Sequence, residues 1–317
     1  MLDPASVGVI SNPASRHNAR GGLRAVEAVL AAQPLVRHRL AHTPHEIEAA
    51  LAELAAADVR CLALNGGDGT VQAVLTTLAL RSPFAAPPQL LVLAGGTTNM
   101  SAYDLGSHGK PPALLRALLA GRLAVTRRRV LEVREDDGTA RCGFFLTAGG
   151  LPQAVRECRA FRARSWLPGL GGGLGTAAWI VARLVLLAVG RAPFAPLPLT
   201  FQAGDAPAVT RDAFLLLATT QQRLALGMRP WWHGGDGPIH ITTVSRPARR
   251  LAIALPGLLR GRPPAFANAA TGYESVSAGA FTLTPNGGYA LDGEDYFPPD
   301  GSALAVRVGA EFEFLRP

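Results

Sequence analysis

Short apolar runs, each closed by a polar turn and followed by apolar residues three or four apart, recur four times in the first part of the chain. Val7 to Ile10 reads as a buried strand ending at Ser11-Asn12-Pro13, where the proline holds the preceding residue extended. Leu23, Val26, Val29 and Leu30 then recur at helical spacing. Val36 to Leu40 is the second strand. Thr43-Pro44-His45-Glu46 has the capping-box arrangement with proline at the first helical position, and Ile47, Leu51 and Leu54 face inward from the helix it opens. Cys61 to Leu64 is the third strand. It runs into Asn65-Gly66-Gly67-Asp68-Gly69-Thr70 and a helix carrying Val71, Val74, Leu75 and Leu78. Leu90 to Leu93 is the fourth and ends in Ala94-Gly95-Gly96-Thr97-Thr98-Asn99, before a helix from Ala113 to Ala120 closed by Gly121.

Alternating strand and helix with short connections predicts an α/β nucleotide-binding domain with a doubly wound parallel sheet, in which ligands bind at the carboxyl ends of the strands. The turns at Asn12, Thr43, Gly66 and Gly96 all fall at that end. From about Arg127 the pattern changes to strand-like runs: Val130 to Val133, Gly143 to Thr147, Phe214 to Ala218, Ile239 to Val244, Phe281 to Thr284 and Ala303 to Val308. A β-rich second domain, a β-sandwich, is expected over 128–317 after an ATP-binding domain over 1–127, with the final strands returning to the cleft between them. A helix from Thr176 to Val189, preceded by a glycine-rich loop from Pro168 to Gly175, interrupts the second domain.

With 317 residues, 48% of them hydrophobic, the chain can bury a sizeable core in two domains. A formal charge of +8 predicts a surface that attracts anions, whether nucleotide, nucleic acid or acidic headgroups. Cys61, Cys142 and Cys158 lack both disulfide-framework and metal-ligand spacing, which fits a reducing cytosol. Neither an export leader nor a bilayer-spanning segment is expected, because Val7 to Ile10 is short and Arg183 interrupts the longest apolar stretch.

Three glycines in four positions around Asp68 suit a backbone that turns sharply or closely approaches a ligand, and N–H groups at a helix start make an anion cradle. A carboxylate there makes sense if a divalent cation lies between it and phosphates. Asp68 as a plain N-cap is the other reading of the same residues.

These motifs resemble the diacylglycerol kinase catalytic-domain family, lipid kinases that include bacterial diacylglycerol kinases, sphingosine kinases and ceramide kinases. The resemblance rests on Gly66-Gly67-Asp68-Gly69-Thr70, Asn12-Pro13-Ala14-Ser15, Thr43, Gly96-Thr97-Thr98-Asn99, Asp236-Gly237 and Leu291-Asp292-Gly293-Glu294, in that family's order and on its scaffold. It implies a kinase using ATP and Mg²⁺ to phosphorylate a lipid such as diacylglycerol, with the site between the two domains. Asn12, Pro13, Ala14, Ser15, Thr43, Gly66, Gly67, Asp68, Gly69, Thr70, Thr97 and Asn99 would then contact ATP. Asp68 would organise the catalytic Mg²⁺, and Asp236 a structural one with carbonyls such as those of His233 and Pro238. Glu294 and Asp292 would stand at the acceptor, the choice of base between them being open; Asp292-Gly293 also has the signature of a plain hairpin turn.

Three departures fall on the nucleotide side: Arg16 where the family has Gly, Ala94-Gly95 in place of its proline-containing approach, and Met100 in place of an Asp. They keep in view a non-catalytic nucleotide- or lipid-binding relative. An NAD kinase shares the Gly-Gly-Asp-Gly loop, but the C-terminal Asp-Gly-Glu argues against it. The expected partners are a lipid substrate and an anionic membrane surface but no nucleic acid. The protein would work in the cytoplasm, peripheral at the inner membrane face, as monomer or homodimer. Arg156, Arg159, Arg162 and Arg164 with Phe161, Trp166 and Leu167 are one candidate interfacial segment, and Trp231-Trp232 another, each also readable as packing.

Overall fold

The computed structural model describes residues 3–94, 100–107, 109–164, 186, 194–204, 206–232 and 236–317. The first half alternates β1 (Val7–Ser11), α1 (Leu23–Leu30), β2 (Arg37–Leu40), α2 (Pro44–Ala56), β3 (Cys61–Gly66), α3 (Asp68–Arg81), β4 (Gln89–Ala94), α4 (Met100–Asp104) and α5 (Pro111–Leu119). Its four strands are parallel in the order β2-β1-β3-β4. Their two-residue period sorts the side chains by face. Val7, Val9, Ala63 and Leu91 pack with Val26 of α1 and Leu114, Leu115 and Leu118 of α5. Ile10, Leu62, Leu64 and Val92 pack with Leu51 and Leu54 of α2 and Val74 and Leu75 of α3. Helices therefore cover both faces, as the apolar strand runs required.

The second half contains β5 (Ala124–Glu135), β6 (Ala140–Gly143), β7 (Phe145–Ala148), α6 (Gly150–Arg164), β8 (Leu197–Ala203), β9 (Val209–Thr219) and β10 (Ile239–Ser245). After these come α7 (Leu251–Leu258), β11 (Tyr273–Ala278), β12 (Ala280–Pro285), β13 (Tyr289–Leu291), β14 (Glu294–Tyr296) and β15 (Leu304–Arg316). Pairing here is antiparallel, around a core that includes Val133, Leu146, Ile241, Phe281, Tyr289 and Val306. The long last strand joins the halves: β15 runs antiparallel to β12 and β5, then reaches β4 in parallel, pairing Phe314 with Leu90. A buried ion pair adds a second tie. Asp104 at the end of α4 meets Arg128 of β5 at 3.0 Å and accepts N–H bonds from Gln222 and Arg223 at 3.0 Å each.

One expected strand, Gly143 to Thr147, is broken at Phe144 into β6 and β7. Phe144 turns its ring onto Phe314, with centroids 5.8 Å apart, and its N–H and that of Phe145 leave the ladder to bind a carboxylate. α4, α6, β8, α7, β11, β13 and β14 complete the fold beyond the elements read from the chain. The segments Pro168 to Gly175 and Thr176 to Val189, except for residue 186, lie outside the described residues. No helix among the described residues is long and apolar enough to cross a membrane.

Candidate active site

The site begins where β1 and β3 end side by side. A Cβ on Gly66 would come within 2.5 Å of Thr70 Oγ1, so only glycine lets that hydroxyl fold back against the strand. Gly67 is extended, and α3 starts at Asp68. Asn12 binds this turn twice: its N–H donates to the Asn65 carbonyl at 2.9 Å, and its amide Nδ2 donates to Thr70 Oγ1 at 3.1 Å. Its Oδ1 accepts from the Ala14 N–H at 2.9 Å, which closes the Asn12-Pro13-Ala14-Ser15 turn, and Arg16 follows without disturbing it.

Behind these loops is a polar brace that no local motif announced. The buried Asn18 amide donates to the carbonyls of Asn12 at 2.8 Å and Asn65 at 3.0 Å, pulling the two strand ends together. Asn65 donates to Ser11 Oγ at 3.0 Å, and Ser11 meets His38 Nε2 at 2.9 Å. Burial lowers the pKa of His38, with Arg39 adding to the effect against the pull of Glu27. A neutral imidazole suits this hydrogen bond. An asparagine seven residues past a strand carries no signal in sequence; its role is set by tertiary contact.

The acidic triplet arrives from the far end of the chain. β13 and β14 pair Leu291 with Glu294 across a two-residue turn in which Asp292 and Gly293 have φ of 49° and 87°, as a primed hairpin turn demands. The turn does more than reverse the chain. The Asp292 carboxylate lies against Gly143, where a Cβ would fall 2.5 Å from Oδ2, and accepts the N–H groups of Phe144 at 3.0 Å and Phe145 at 2.9 Å. Glu294 lies against the start of α3: a Cβ on Gly69 would fall 2.5 Å from Glu294 Oε1. The Asp68 carboxylate, which accepts the Ser101 N–H at 3.2 Å, is near enough for its charge to act on Asp292.

Burial first, and the Asp68 charge second, push the Asp292 carboxyl up to about 8, against the lowering effect of the two N–H donors. The folded chain therefore holds a proton that the unfolded chain has released, and wild-type stability falls as pH rises from about 4 to about 8. Asp292→Asn, which cannot ionise, should remove that slope. Urea unfolding in chelator at about pH 5 and about pH 8 checks it, because the wild-type stability should drop relative to the variant at the higher pH. An equal gap at both values would mean that Asp292 is ionised in the fold.

These loops surround a cavity of about 1250 Å³. Asn12, Ala14, Ser15 and Arg16 line it from the first turn, Gly67 to Thr70 from the third, and Asp292, Gly293 and Glu294 from the hairpin. Pro13, Thr43 and Gly66 support rather than line it. Thr43 caps α2, accepting the Glu46 N–H at 3.2 Å, while its neighbours His42, Pro44 and His45 face the cavity. Thr97 and Asn99 lie outside the described residues. Asp236 is exposed; Gly237 beside it is packed so closely that a Cβ would meet the Ala278 backbone, and residues 233–235 lie outside the described residues.

Arg134 and Arg141 line the cavity from the β5–β6 hairpin. Arg141 is bonded to Glu135 and to the Tyr289 hydroxyl at 3.2 Å, and its guanidinium stands 4.2 Å from the ring centroid of Tyr296, whose hydroxyl donates to Gln72 at 2.9 Å. Cations and carboxylates thus face one space, an arrangement that can hold polyphosphate and a divalent ion together. Among the described residues no cluster of three ligating side chains would hold a metal unaided. Mg²⁺, which keeps waters and shares phosphate oxygens, needs only one or two carboxylates, and the neighbouring Asp68 and Asp292 fit that demand.

Residues 6–127 match the model of the diacylglycerol kinase catalytic domain. The whole chain superposes on a diacylglycerol kinase from Bacillus anthracis strain Sterne at 15% identity, with a TM-score of 0.63 and 98% of that chain covered. Two structures described as candidate diacylglycerol kinases of the same strain give TM-scores of 0.66 at 16% and 17% identity, with 99% of each covered. No curated protein matches the chain. By sequence, residues 6–127 form a domain of the diacylglycerol kinase catalytic type, and by fold the chain over its whole length is of the kind those Bacillus structures display.

Proposed function

We propose that the protein is an ATP- and Mg²⁺-dependent kinase that transfers the γ-phosphate of ATP to a hydroxyl of a lipid such as diacylglycerol, working in the cytoplasm at the inner membrane face. The observation that carries this reading is the convergence of Asp68 with Asp292 and Glu294, more than two hundred residues later, at one cavity beside the start of α3. The first turns of the α/β half would hold the polyphosphate, with Arg16 adding a cation beside it. Asp68 and Asp292 would hold Mg²⁺, which supplies charge neutralisation on the phosphates when bound.

Glu294 is the better base of the two late carboxylates. It is exposed to the cavity, and no hydrogen bond to its carboxylate forms among the described residues, whereas Asp292 is engaged with two backbone donors. In the transfer the lipid oxygen bonds to the γ-phosphorus, the bond to the β-phosphate oxygen breaks, ADP leaves and the hydroxyl proton passes to Glu294.

Incubation of the full chain with labelled ATP and diacylglycerol, monoacylglycerol, phosphatidylglycerol, a sphingoid base, ceramide and NAD tests the reading. Label should appear in a lipid phosphate, and only with Mg²⁺. Phosphorylated NAD, or nucleotide binding with no product from any acceptor, would overturn it.

A further inference from the structure

Of the candidate membrane segments read from the chain, Trp231-Trp232 and, in the other, Arg156 have partners within the fold. Trp231 stacks on His240 with centroids 4.7 Å apart, Trp232 packs on the cluster around Phe214 and Tyr273, and Arg156 pairs with Asp295 at 3.4 Å and lies over the ring of Phe297. Arg159, Arg162, Arg164, Phe161, Trp166 and Leu167 have side chains outside the described residues.

A different surface is left unpartnered. Of the apolar run Leu251 to Leu259, Ala254 and Leu258 go inward, while Ile253 is 66% exposed and Pro256 is exposed beside it. Next to the end of α7, tied to it by the Arg229 N–H donating to the Leu259 carbonyl at 3.0 Å, is a tight turn with Leu226 at its tip. Leu226 is 89% exposed at a φ of 58°, so the fold bears both backbone strain and apolar hydration there without packing in return. Leu226, Met228, Leu255, Pro256 and Leu259 enclose an apolar dimple of about 350 Å³.

Arg260 lines it, and Arg229, Arg249, Arg250 and Arg262, in the segments that flank α7 and the turn, are exposed, Arg250 also lying over the ring of Phe266. None of them is in an ion pair among the described residues, and Asp236 is the single acid between Arg223 and Tyr273. Arg249 and Arg250 stand at the amino end of α7, where a cation opposes the helix dipole, so helix stability does not explain them.

We propose that α7 and the Leu226 turn form a docking surface for an anionic lipid bilayer, with Leu226, Ile253 and the dimple entering the headgroup boundary and the arginines meeting lipid phosphates. A second copy of the chain fits poorly, because a two-fold contact would set these same arginines against each other. The surface is also joined to the site. The turn is anchored by Gln222 and Arg223 to Asp104 at one end of α4, and Ser101 near the other end donates to Asp68. Its purpose rests on the lipid-kinase reading; its existence does not.

Sedimentation of the full chain, without nucleotide, on phosphatidylcholine vesicles with or without an equal share of phosphatidylglycerol tests the surface. Wild type should prefer the anionic vesicles and be released by salt. Leu226→Ser with Ile253→Ser should lower partitioning at least about tenfold, and Arg249→Gln with Arg260→Gln should abolish most of the anionic preference. Neither pair should shift the unfolding midpoint, since all four side chains already face water, and activity on a water-soluble short-chain diacylglycerol should stay within about twofold. Serine variants that sediment like wild type, or a wild type indifferent to lipid charge, would overturn the proposal. So would a wild-type dimer that the serine pair converts to monomer, which would make this face a contact between copies. Absence of lipid phosphorylation with the partitioning pattern intact would remove the kinase reading and leave the docking surface standing.

Discussion

Asp68→Asn is expected to lower lipid phosphorylation by about 10³-fold or more, some 4 kcal/mol of barrier, while the protein stays folded. Asparagine keeps an oxygen that can accept the Ser101 N–H, and the close approach of Gly66 to Thr70 and the Asn12 contacts that hold the loop are left in place. The change removes one formal charge from the Asp68 and Asp292 pair, so the loss should be steepest at limiting Mg²⁺ and partly relieved by excess. It should also leave a mark that needs no turnover. Without the Asp68 charge, the Asp292 carboxyl is raised less, and the fall of stability between about pH 4 and about pH 8 should shrink. Gly67, not Asp68, is the N-cap of α3, so unaltered turnover at limiting Mg²⁺ would leave Asp68 only the structural role of accepting the Ser101 N–H.

The parallel half was legible because each of its signals is local. Val7 to Ile10 and Cys61 to Leu64 are buried on both faces and read as continuous apolar runs, and Thr43-Pro44 announces the start of α2. The same locality misled over Thr43, whose hydroxyl is spent on Glu46, so the cavity is lined by His42 and Pro44 on either side. Asp292-Gly293 had two readings, hairpin turn or catalytic acid, and its positive φ values with its position at the cavity show that a primed turn can carry an acid into a site. That placement depends on β13 pairing with β7 and on Phe144 breaking its strand, contacts nearly 150 positions away that no spacing encodes. β8 was hidden by Pro198, which sits near its start, and α7 by Pro256 inside it and arginines on both sides.

Glu294→Gln should depress turnover by about 10²- to 10⁴-fold with the Michaelis constant for ATP changed only a few-fold. Glutamine has nearly the same shape, so the close fit over Gly69 survives and the turn from β3 into α3 is left as it was. What disappears is the capacity to take a proton. Asp292 could not replace it from its present position: its oxygens are held by the Phe144 and Phe145 N–H groups, and with its carboxyl raised to about 8 it carries a proton at neutral pH in the metal-free site. The two acids therefore predict different signatures. Asp292→Asn should raise the Mg²⁺ concentration needed for activity and alter the pH profile of stability, whereas Glu294→Gln should leave both alone and act on the chemical step. Single-turnover measurements with saturating ATP separate the cases. A full-sized phosphoryl-transfer rate in Glu294→Gln would exclude it as the base, and a loss in Asp292→Asn that saturating Mg²⁺ failed to restore would transfer that role to Asp292.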